Sequence, residues 1–111
     1  MAYDEKLAER IRILLHTKQG YVEKKMFGGI CFMLFGNMLC GVVDDKLMAR
    51  VGKDKYLELL KRKYADPMDF TGKPMKGFLY VYSGGIKTKR NLQFWIDQCL
   101  VFVNTLPKKK I

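Results

Sequence analysis

The sequence predicts an α+β fold, a two-layer single domain in which an antiparallel sheet is packed against helices. Two apolar stripes at helical spacing carry this, one near each end: Leu7, Ile11, Leu14 and Leu15, then Leu92, Trp95, Ile96, Cys99, Val103 and Leu106. Between them, Lys24 to Val51 reads KKMFGGICFMLFGNMLCGVVDDKLMARV, short apolar runs of strand length punctuated by turn residues. At 111 residues the chain is one domain, 1–111, with residues 107–111 as a basic tail. An apolar share of 49% and an aromatic share of 13% suit a packed core rather than a disordered chain.

Composition narrows the function classes. No apolar run approaches the roughly 20 residues that span a bilayer. Asp4, Glu5 and Lys6 interrupt the stretch where a signal peptide would need apolar residues. The expectation is a cytoplasmic protein with no membrane partner. Cys31, Cys40 and Cys99 form no C-x-x-C pair, and the single histidine, His16, is remote in sequence, so no metal site and no cofactor are expected. Buried, reduced thiols are the expectation. The formal net charge is +10 and uneven: ten Lys/Arg face eight Asp/Glu in residues 1–60, and eleven face three in 61–111. Such a bias draws a protein toward nucleic acid or acidic surfaces, and it also serves solubility.

In chain order, a first helix is expected over residues 4 to about 17, with Asp4 as N-cap, His16 in the last turn and Gly20 as the stop. From Tyr21 the period becomes two. A strand over Val22–Phe27 ends at Gly28-Gly29, and a hairpin turning at Gly36-Asn37 joins Ile30–Phe35 to Met38–Val43. Asp44-Asp45 then leads into Lys46–Val51. With two-residue loops, Cys31, Met33, Phe35, Met38, Cys40, Val42, Leu47, Ala49 and Val51 share the core face. The other face holds Ile30, Phe32, Leu34, Leu39, Gly41, Val43, Lys46, Met48 and Arg50, apolar with a basic edge, and needs cover from a second layer or another chain.

Asp54 is expected to cap a second helix through about Tyr64, buried along Tyr56, Leu57, Leu60 and Tyr64, with Asp66-Pro67 as its stop. Residues 65–77 read as a long loop, Phe78–Tyr82 as a strand, and about Thr88 to Thr105 as the last helix, with Trp95 as a core anchor.

No Walker loop, dinucleotide fingerprint, H-E-x-x-H, EF-hand or G-x-S-x-G is present. The carboxylates Asp44, Asp45, Asp66 and Asp69 sit at turns, and no nucleophile lies beside a base, so no catalytic residue is expected and the chain reads as no enzyme. Lys73, Lys76, Lys87, Lys89 and Arg90, interleaved with Phe78, Tyr80 and Tyr82, form a basic set of nucleic-acid-contact type.

Several segments resemble the TfoX N-terminal-domain family: Lys25-Met26-Phe27-Gly28-Gly29, Gly36-Asn37-Met38, Leu47-Met48-Ala49-Arg50-Val51, Gly72-Lys73-Pro74-Met75-Lys76-Gly77, and the closing Trp95-Ile96 and Leu106-Pro107. The resemblance covers nearly the whole chain and implies an antiparallel sheet packed on helices, a cytosolic bacterial setting and a short, stand-alone member. The family is named for a regulator of competence genes that carries a second domain, and it supplies no catalytic residues to transfer. The expected function is a non-catalytic regulatory or adaptor domain that associates with a protein partner or a second copy of itself. Its expected contact face is Phe32, Leu34, Leu39 and Arg50, or the loop from Lys73 to Gly77. The alternative is a nucleic-acid-binding domain using the basic C-terminal half.

Overall fold

Helical and two-residue periodicities alternate along the chain as their apolar patterns demand, and the elements follow in the order α1 (Glu5–Leu15), β1 (Tyr21–Met26), β2 (Gly29–Leu34), β3 (Asn37–Val43), β4 (Lys46–Arg50), α2 (Lys53–Leu60), β5 (Ala65–Asp69), β6 (Pro74–Val81) and α3 (Lys89–Val103). A computed structural model describes residues 3–26, 28–69 and 74–108, with positions 69, 74 and 75 described as backbone. The strands form one antiparallel sheet in the order β1-β2-β3-β4-β6-β5. The predicted α+β architecture is the observed one.

Local chemistry sets the helix starts. Asp4 caps α1, its Oδ1 accepting from the Lys6 and Leu7 amides at 2.9 and 3.2 Å. Thr88 caps α3 by accepting from the Asn91 amide at 3.1 Å. Asp54 is in the first turn of α2 rather than at its cap, which is Gly52. The buried side of α2 is Tyr56 and Leu59, with Leu57 and Tyr64 exposed, because the helix ends at Leu60 and the expected stripe has no further turn to follow.

All three helices pack on one face of the sheet. Leu7, Ile11 and Leu15 of α1, Tyr56 and Leu59 of α2, and Leu92, Trp95, Ile96 and Cys99 of α3 join Ile30, Phe32, Leu34, Leu39, Cys40, Val42, Leu47, Ala49, Leu79 and Val81 in one core. Trp95 is the core anchor expected. The opposite face holds a second cluster, Cys31, Met33, Met48 and Met68, with Met26, Met38, Val43, Phe78 and Tyr80 packed around it. Among the described residues, no buried helix side chain belongs to that second cluster.

Two departures from the sequence reading matter. The β2–β3 turn is Phe35-Gly36, both at positive φ (50° and 81°), with Leu34 opposite Asn37. This turn geometry matches strand twist. Asn37 is buried instead, its Nδ2 donating to the Pro107 carbonyl at 2.9 Å. Beyond the turn a bulge between Phe32 and Met33 leaves Leu39 extra, so Phe32 pairs with Cys40 and Ile30 with Val42. One inserted residue exchanges the faces of everything past it. The second departure is β5. Residues 65–69 form an edge strand on β6, where Pro67 is tolerated because one side of an edge strand has no ladder to complete.

Candidate functional site

Where β4 ends, the chain is tied to the start of β6. The amides of Val51 and Gly52 both donate to the Gly77 carbonyl, at 2.8 and 3.1 Å. Gly52 has φ +85° and lies against the Phe102 ring, so a side chain there would strain the backbone and meet the ring. The junction leaves an open cavity of about 450 Å³ between the start of α2, the start of β6 and the last turns of α3. Val51, Phe78, Val101 and Phe102 supply apolar lining, and Arg50, Lys53, Lys55 and Lys76 supply positive charge against Asp54, the single carboxylate there among the described residues.

Arg50 is the side chain around which this groove is built. It is half-buried, and its guanidinium lies between the Phe78 and Phe102 rings, 5.4 Å from each centroid. Its one hydrogen bond is long, from Nη1 to the Met38 carbonyl at 3.3 Å. Among the described residues it has no carboxylate partner. Burial pulls its pKa down from the ordinary arginine value. Lys55 is engaged with Gln98 Oε1 at 3.2 Å, which links α2 to α3 beside the cavity.

The sequence-predicted residues fare unequally. Arg50, Lys76 and Gly77 converge on the cavity. Phe32, Leu34 and Leu39, expected on a contact face, are 0%, 4% and 0% exposed beneath the helices, because the bulge turned them to the core side. That contact face is corrected accordingly. Lys87, Lys89 and Arg90 are exposed around the start of α3, where Arg10 Nη2 donates to the Ile86 carbonyl at 2.7 Å. Lys76 is at the far end of β6 from them, roughly 20 Å away at strand rise, so these cations do not make one patch. Lys25 and Gly28 are exposed and Gly29 is buried. Phe27, Gly72 and Lys73 are outside the described residues, as are Lys109 to Ile111 of the basic tail, and Pro74 and Met75 are described as backbone of β6.

Sequence reasoning missed Lys53, Lys55, Val101 and Phe102 as groove residues. Val101 gave a readable signal, since it is 55% exposed and off the apolar stripe of α3. The lysines read as an ordinary solvated helix face.

The chemistry available elsewhere is limited by burial. All three cysteines are free and buried, with thiols pushed up by desolvation: Cys31 to about 11, Cys99 to about 12 and Cys40 well above the ordinary value. His16 is exposed at the C-cap of α1, its Nδ1 3.1 Å from the Arg12 carbonyl. None of these side chains lines the groove.

The family model of the TfoX N-terminal domain matches residues 14–103. The chain belongs to that family. Two segments that carry the resemblance, Leu47–Val51 and the end of the Gly72–Gly77 motif, meet at the groove in this TfoX N-terminal domain. No curated protein and no solved structure matches the chain significantly. No described helix is long and apolar enough to cross a membrane.

Proposed function

We propose that this TfoX N-terminal domain is a non-catalytic regulatory or adaptor domain that acts by associating with another protein through the groove at the β4–α2 junction. The observation that carries the reading is Arg50, a half-buried guanidinium flanked by two rings and open to the cavity, with no carboxylate partner among the described residues. A buried charge left unpaired is costly within one chain, and a partner that supplies the counter-charge removes the cost. The aliphatic lip adds to it, since Val101 is 55% exposed at the groove. An apolar, charge-rimmed groove of this kind suits peptide recognition.

In-cell photo-crosslinking tests this. A photoreactive residue at Val101 is expected to give discrete protein adducts, lost in Arg50→Gln, while the same probe at Ile13, exposed at 62% on α1, gives none. Equal labelling at both positions, or insensitivity to Arg50→Gln, overturns the reading.

A further inference from the structure

Taking the groove as a protein-binding site, on which this inference rests, we propose that its partner is an acidic segment with large apolar side chains. A carboxylate of that segment seats on Arg50, and its apolar side chains lie on Val101. Charge points to the acid: Arg50, Lys53, Lys55 and Lys76 surround the cavity, with Asp54 as the only opposite charge there among the described residues. The guanidinium has spent one N–H on a 3.3 Å bond to Met38, leaving the paired donors that a carboxylate takes in fork geometry. Phe78 and Phe102 flank the guanidinium at 5.4 Å before any partner arrives, which limits the side-chain freedom left to be lost on binding.

The same details disfavour the other occupants. Single-stranded nucleic acid needs free aromatic faces for its bases, and both rings of the groove already face Arg50. What remains free at the lip is aliphatic, with Val101 more than half exposed. A second copy of the chain would bring a net charge of +10 toward another +10. A small inorganic anion would leave the aliphatic lip unused.

The test is selection of a random twelve-residue peptide display library on the full 111-residue chain, with anisotropy measurements on the enriched peptides. The expected result is enrichment of sequences in which Asp or Glu neighbours Leu, Ile or Phe. Binding of the enriched peptides is expected to fall at least tenfold in Arg50→Gln and in Val101→Asp, with Arg50→Lys between these and wild type. Replacing the acids of a selected peptide by amides is expected to cost a similar factor. Val101 is exposed, so Val101→Asp keeps the test valid should Arg50→Gln unfold, and a thermal melt reports which has happened. Enriched peptides that are neutral or basic yet depend on both positions overturn the acidic chemistry and leave protein association standing. No enrichment that depends on either position overturns both. Binding of labelled oligo-dT that depends on Arg50 and displaces the selected peptides overturns the proposal in favour of nucleic acid.

Discussion

Two arginines of this domain meet opposite fates. Arg12, on α1, is neutralised: Nε and Nη2 donate to Glu23 at 2.6 and 2.8 Å, Nη1 donates to Glu9 at 2.8 Å, and the Tyr21 hydroxyl closes the network by donating to the same Glu23 carboxylate. Arg50 is no more exposed in class than Arg12, yet it has two ring faces and one long bond. The first guanidinium joins helix to sheet, and its charge is already met by two carboxylates. The second is held in place by groups that leave its donors free. Orientation without neutralisation is what separates a binding arginine from a structural one.

The contrast can be broken or sharpened by substitution. The largest effect removes the frame that holds both residues. Phe32→Asp places a carboxylate at a fully buried position and is expected to cost more than about 4 kcal/mol, unfolding the domain in circular dichroism. Next comes Arg12→Met, which leaves Glu23 with Tyr21 alone and is expected to cost about 1–2 kcal/mol in urea denaturation, the exposure of the pair keeping the figure modest. Arg50→Gln is expected to change stability by less than about 1 kcal/mol, since it trades two ring contacts for relief of an unpaired charge, while abolishing peptide binding. A stability loss equal to that of Arg12→Met would collapse the distinction.

The smallest effect is the pH dependence around Arg12. Its hydrogen bonds hold the Glu23 carboxyl below the ordinary 4.5, with the Tyr21 hydroxyl adding to this. The resulting stability is present above that value and lost as pH falls through the lower, folded-state pKa. Desolvation and Glu23 raise the Tyr21 phenol above its ordinary 10.0, so that contribution is complete below pH 10.0 and declines as pH rises beyond it. Melting temperature against pH is expected to show both limbs in wild type, and a shallower acid limb in Arg12→Met.

Periodic features were legible from residues alone. The stripes of α1 and α3, the Asp4 cap and the Asp44-Asp45 hairpin all follow from local rules that tertiary structure did not override. The faces of β2 were not, because a bulge is decided by which residue the packed core accepts as extra, and Leu39 carries no mark of it in sequence. Moving the turn to Phe35-Gly36 would by itself have left the faces as expected; the bulge alone reversed them. β5 was hidden by Pro67, whose meaning depends on knowing that the strand lies at an edge. At the groove, Arg50 and Lys76 were named from the sequence, but their meeting with Val101 and Phe102 depends on where α3 docks, a long-range fact.

The hydrogen bond from Asn37 to the Pro107 carbonyl has a consequence in time. The tip of the β2–β3 hairpin forms early by proximity, but its only described buried polar side chain is satisfied by a residue seventy positions later. On a ribosome the hairpin therefore emerges with that amide bonded only to water, and exchanges water for the Pro107 carbonyl when the segment after α3 reaches it. The tip of that hairpin waits on a segment seventy positions later for its last polar contact.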